Sequence, residues 1–149
     1  MDPAEGTKEA KNLTLHHVGI VARNIEETAA LYVRSFGYEP RTGIIHDPVQ
    51  TAYVQFFRLP GDPVYLELVS PDGPQSKLAN AAEKGGGLNH VCYATEDIEA
   101  ECARLRSAGF LLVSPPTAAV AFGGRRIAWL MGKDRVLFEL VERGPEGSL

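Results

Sequence analysis

The stretch HVGIVARNIEE, residues 17–27, lies over HVCYATEDIEA, residues 90–100, histidine on histidine and acidic turn on acidic turn. Further along, VYLELV at 64–69 lies over VLFELV at 136–141, which sets Glu67 on Glu139. His90 follows His17 by 73 positions and Glu139 follows Glu67 by 72; SFGYEP (35–40) already lies over SAGFLL (107–112) at the shorter offset, so one residue has been lost within the second copy's helix. An internal repeat of this length means one supersecondary unit used twice. Each unit begins with a histidine in a strand and ends with a glutamate in a strand.

The same elements are legible in both copies. Asn24 and Asp97 are placed as helix N-caps, each with acidic residues in the turn that follows, where the helix dipole favours them. Ile25, Ala29, Tyr32, Val33 and Phe36 make an apolar stripe at helical spacing, closed by Gly37; Ile98, Cys102, Leu105 and Ala108 precede Gly109 in the second copy. Three strand-like runs follow each helix, over 39–45, 51–58 and 63–70, then over 110–113, 125–131 and 135–142. The fold class is therefore α+β: two tandem βαβββ modules, 13–70 and 87–142, in one domain spanning 13–142. Residues 71–86 form the linker, with a short helix expected over 76–84. Residues 1–12 and 143–149 read as mobile tails.

Composition narrows the function classes. A net charge of −4, with no basic run beyond Arg125 and Arg126, excludes a nucleic-acid footprint. No apolar run is long enough to span a bilayer, and MDPAEGTKEAKN lacks the pattern of a signal peptide, so the expected location is cytoplasmic with no membrane partner. Cys92 and Cys102 have no metal-type spacing and read as small core residues in a reduced compartment.

Strand parity then isolates four residues. Val18 and Ile20 suit packing beneath a helix, leaving Leu15, His17, Gly19 and Val21 on the opposite face; His16 goes with Val18 and reads as a rim or helix-contact residue. By the same alternation Glu67 stands opposite Leu66 and Leu68, while His90 and Glu139 stand opposite Val91, Phe138 and Leu140. Each of the four has an ordinary reading when taken singly. A histidine can bond to backbone in a core, and a glutamate can pair with Arg58, Arg125 or Arg126. Burying a carboxylate between leucines is nevertheless costly without a cation beside it. Two imidazoles and two carboxylates, matched across two copies, form a nitrogen and oxygen set suited to one divalent first-row metal: cobalt, zinc, nickel, manganese or iron. His46 reads as surface or pocket rim.

On LHHVGIVARNIEETAALYVRSFGY, YLELVSP, GGGLNHVCYATEDIEAECARLRSAGF and GGRRIAWLMGKDRVLFELVE, the chain resembles the vicinal oxygen chelate superfamily, the glyoxalase and bleomycin-resistance-like fold. The resemblance implies a cupped mixed sheet with a central metal, ligands at His17, Glu67, His90 and Glu139, and a homodimer. Within it, ELVSPDGPQSKLANAAEKGGGLNHVCY and GGRRIAWL are similar to the methylmalonyl-CoA epimerase-like branch. One departure stands out. Where those epimerases carry a catalytic glutamate after a proline, HDPVQTAY places Val49, with Asp47 and Gln50 adjacent.

The function this implies is metal-dependent isomerisation of a small acyl-CoA or related molecule. A proton beside a carbonyl is removed, the metal chelates the resulting enediolate, and Glu139 or Glu67 acts as the base. Gln50, Tyr65, Arg125 and Arg126 are the expected substrate contacts, the arginines through a CoA phosphate; read as a plain hairpin turn, the same pair is simply solvated. Phe56, Trp129 and Tyr53 are further candidates for an apolar pocket wall. The alternatives are a lactoylglutathione lyase, a metal-dependent oxygenase, and a non-enzymatic drug-binding protein of the same fold.

Overall fold

A computed structural model describes residues 13–149; the tail read over 1–12 lies outside the described residues. The first module contains β1 (Thr14–Val21), α1 (Ile25–Phe36), β2 (Glu39–Pro40), β3 (Ile45–Asp47), β4 (Ala52–Arg58) and β5 (Tyr65–Pro71). A five-residue helix, α2 (Ala79–Glu83), precedes the second module: β6 (Gly87–Thr95), α3 (Ile98–Ser107), β7 (Leu111–Ala118), a 3-10 turn (Val120–Phe122), β8 (Arg126–Met131) and β9 (Leu137–Glu142).

All nine strands join one mixed sheet in the order β2-β4-β5-β1-β6-β9-β8-β7, with β3 also paired to β4. The repeat is visible in the pairing. β1 runs parallel to β5 as β6 runs parallel to β9, and the two first strands meet antiparallel at the centre. Both helix caps form as read: Asn24 accepts from the Glu27 backbone N–H and Asp97 from that of Ala100, and Gly37 closes α1 at a left-handed φ of 82°.

The helices cover one face of the sheet. Ile25 packs with Phe57, Leu66 and Leu68, and Ile98 and Cys102 pack with Ala128, Leu130 and Leu140. Val33 and Phe36, placed on the α1 stripe by spacing, are exposed instead. The other face is lined by Val54, Phe56, Val69, Phe122 and Ile127. There the sheet curls far enough for β3 to meet the Val120–Phe122 turn of the other module. Among the described residues no helix is long and apolar enough to cross a membrane, and both cysteines are buried and free.

Three departures from the sequence reading have local causes. The strand expected over 39–45 is two short pieces, because Thr42 interrupts the ladder: its hydroxyl accepts from the Phe56 N–H and its carbonyl accepts from the Gln55 side chain. The linker helix is shorter than 76–84, since Ser76 is held outside it by bonds to the Thr51 carbonyl and the Leu78 N–H. In β1 the pairing with β6 skips a residue. Leu15 faces Tyr93 and His17 faces Cys92, so His16 is the extra residue of a bulge.

That bulge corrects the reading of His16. Strict alternation sends it to the helix face with Val18. It lies instead on the inner face, stacked on Tyr65 and edge-on to Phe56 and Phe122. The 143–149 segment, read as a tail, returns to the sheet, where Arg125 donates to the Glu142 and Leu149 carbonyls.

Candidate metal centre

The four central strands each contribute one polar side chain to the inner face: His17 from β1, Glu67 from β5, His90 from β6 and Glu139 from β9. None is more than 6% exposed. Register brings them together. Gly19 lies opposite His90 across the β1–β6 ladder and beside Glu67 in the β1–β5 ladder, and it has to be glycine, because a Cβ there would run into the His90 ring.

Their donor atoms converge. His17 Nε2 and His90 Nε2 are 3.1 Å apart, Glu67 Oε1 lies 3.4 and 3.1 Å from them, and Glu139 Oε1 lies 2.9 and 3.4 Å from them. Donors bonded at about 2.1 Å to one ion stand roughly 3.0 Å apart at right angles and roughly 3.4 Å apart at tetrahedral angles. The five separations fit that range. Glu139 Oε1, although buried and near both imidazoles, is left without a hydrogen-bond partner, an orphaned acceptor that an ion would take up. The residues therefore fit a divalent ion by donor type, spacing and burial.

Without an ion the cluster holds protons. Burial disfavours charge on His17, but the Glu67 and Glu139 carboxylates overcome it and raise its pKa. His90 is likewise opposed by burial and raised to about 9 by the Glu139 and Glu67 carboxylates beside it. Burial pushes Glu67 and Glu139 up, and the two imidazoles more than reverse this, leaving both carboxyls below their ordinary value.

Each histidine is also held from behind by the residue that precedes it. His16 Nδ1 lies 2.7 Å from His17 Nδ1, and Asn89 Oδ1 accepts from His90 Nδ1 at 2.8 Å. Partners of this kind fix ring orientation and tautomer, presenting Nε2 to the cluster. Burial drives the His16 pKa down to about 4, with the His17 charge adding to the effect, so at neutral pH His16 is an uncharged partner. Parity alone missed both residues. The signal present in the sequence was the repeat itself, which reads His-His in one copy and Asn-His in the other.

A cavity of about 430 Å³ opens onto Glu67, His90 and Glu139, with Asp47, Gln50 and Trp129 among its walls. Trp129 sits edge-on to His90 and donates its indole N–H to Gln50 Oε1 at 3.1 Å, joining the two modules across the cavity. Of the expected substrate contacts, Gln50 alone lines this space. Tyr65 lies behind it against His16. Arg125 is turned to backbone carbonyls and Arg126 to Glu99 and Glu142, which accounts for both guanidiniums within the fold. His46 is at the surface, paired with Asp72.

Two βαβββ modules sharing a buried His/Glu quartet on the concave face of one sheet define a class of small-molecule metal-site proteins. The chain belongs to the glyoxalase/bleomycin resistance protein/dioxygenase superfamily, whose family model matches residues 16–129. It is 34% identical over 123 residues to an ethylmalonyl-CoA/methylmalonyl-CoA epimerase of Cereibacter sphaeroides, covering 80% of this chain and 89% of that protein. The fold superposes on the crystal structure of methylmalonyl-CoA epimerase from Mycobacterium tuberculosis with a TM-score of 0.80 and 27% identity, covering 96% and 97% of the two chains. It also superposes on a Streptomyces coelicolor methylmalonyl-CoA epimerase in complex with 2-nitronate-propionyl-CoA, with a TM-score of 0.76 and 25% identity, covering 88% and 97%.

Proposed function

We propose that this chain is a metal-dependent isomerase that moves a proton at the carbon beside a thioester carbonyl, with methylmalonyl-CoA or a related small acyl-CoA as substrate. The observation that carries the reading is the quartet itself: four buried donors at ion-binding separations on the wall of a cavity of small-molecule size, in a fold shared with acyl-CoA epimerases. Domain organisation is part of the same proposal. Residues 13–142 act as one domain because each module supplies half of the quartet.

His17, Glu67, His90 and Glu139 would hold the ion. An ion held there would supply Lewis-acid stabilisation of negative charge on the substrate's carbonyl oxygen, worth several kcal/mol. The chain's own residues do the rest. Glu139 and Glu67 both open onto the cavity, and either would accept the proton from the carbon beside the carbonyl. His16 and Asn89 hold the imidazoles in place from behind. Trp129 and the apolar wall around Ala119, Phe122 and Ile127 shield the carbanion from bulk water. The homodimer implied by the family belongs to this proposal too, and exposed Leu88 and Phe36 are apolar side chains that such an interface would cover.

The lyase reading has no support in the relatives above, whose names are those of epimerases. Passive drug binding makes no use of four converging buried donors. Incubation of the metal-loaded protein with methylmalonyl-CoA in deuterium oxide should place deuterium at C2 and interconvert the two epimers. Consumption of methylglyoxal with glutathione, and no exchange at C2, would replace this reading with the lyase.

A further inference from the structure

Epimerisation needs a proton removed from one face of a planar carbon and another delivered to the opposite face. Glu67 and Glu139 both belong to the quartet, which the four central strands set on the floor of the cavity. The position that carries the epimerases' glutamate in the resembling branch is Val49 here, and Val49 is 54% exposed. The cavity has one further acid. Among the described residues that line it, the carboxylates are Asp47, Glu67 and Glu139.

Asp47 is only 4% exposed. It ends β3, the short strand outside β4, on the arm of the sheet that curls over to meet the Val120–Phe122 turn. It faces the cavity from that arm, not from the floor. Its Oδ1 accepts the Gln50 backbone N–H at 3.1 Å, which fixes the carboxyl group, and no ion pair to Asp47 is present among the described residues. Gln50, anchored in this way, is the residue that reaches across to Trp129.

Resting on the acyl-CoA isomerase reading above, we infer that Asp47 is the second proton-transfer group, serving the face of the substrate opposite the quartet. In one direction a quartet glutamate takes the proton from C2, the C–H electron pair passing into the enolate. The Asp47 carboxylic acid then gives its proton to C2 on the other face, forming the new C–H bond, and is left as the carboxylate. The glutamate is left protonated, and exchange of both acids with solvent restores the starting state. In the reverse direction Asp47 is the base.

The test uses the metal-loaded full chain and both epimers of methylmalonyl-CoA in deuterium oxide, following C2 deuterium and epimer interconversion. Wild-type protein should exchange and interconvert both epimers. Asp47→Asn keeps the oxygen that accepts the Gln50 N–H, so it should keep its metal content and melting temperature. It should still exchange deuterium into one epimer while interconversion falls by about 10²- to 10⁴-fold. Asp47→Ser, which also retains an acceptor, should behave in the same way and stands in if the asparagine variant does not fold. Interconversion at the wild-type rate in either variant overturns the proposal. So does equal loss of exchange from both epimers, and so does loss of the metal, which would make Asp47 a support of the quartet. Failure of the wild-type protein to exchange either epimer overturns the isomerase reading itself, and is seen before any variant is made.

Discussion

A single methyl group separates Gly19 from a broken site, because its Cβ would occupy the space of the His90 ring. Both atoms are set in the sheet centre, where neither strand can give way without losing ladder bonds. Gly19→Ala should therefore lower stability by about 1–3 kcal/mol, as overpacking does elsewhere, and should lose bound metal by displacing His90. Thermal melting together with elemental analysis reads both effects; a variant that keeps its metal would show that the ring can move. The histidines also set a pH signature for the metal-free protein. His90 has a folded pKa of about 9 against an ordinary 6.5, so its contribution to stability is complete below pH 6.5 and fades as pH rises toward 9. Glu67 and Glu139 are depressed from 4.5, so theirs is present above that value and lost as pH falls through the depressed range. Melting temperature in the presence of chelator should fall between pH 6.5 and 9. Metal has to displace these protons, so uptake should release acid and tighten over the same interval.

At the scale of elements, the two caps are equivalent by repeat and far apart in the fold. Asn24→Ala and Asp97→Ala should each cost about 1 kcal/mol and add in the double variant, as checked by chemical denaturation. What could be read from the sequence depended on whether local alternation held. His17, Glu67, His90 and Glu139 were legible because, from each histidine onward and along β5 and β9, side chains alternate against apolar neighbours facing the helices. His16 was not, because a bulge is one extra residue in one strand and leaves no mark on the alternation of apolar and polar residues. The strand split at Thr42 escaped for a related reason, since a side chain replaces a backbone partner there. Arg125 and Arg126 looked available for an anionic substrate because their partners Glu99, Glu142 and Leu149 are brought to them only by the finished fold.

For the whole molecule, the repeat determines more than symmetry. Each module alone carries one histidine and one glutamate, so the quartet exists only where β1 meets β6 and the two halves share a sheet. The Gln50 to Trp129 bond joins the same halves on the far side of the cavity. An ion in the quartet would bind the folded chain and not the unfolded one, and should raise the melting temperature in proportion to its affinity. The most direct measurement is elemental analysis of the protein as purified and after reconstitution, beside His17→Ala and Glu139→Ala. The account predicts about one divalent ion per chain in the wild type, with loss of the ion in both variants. A wild-type protein that holds no ion after reconstitution, or variants that keep theirs, would contradict it.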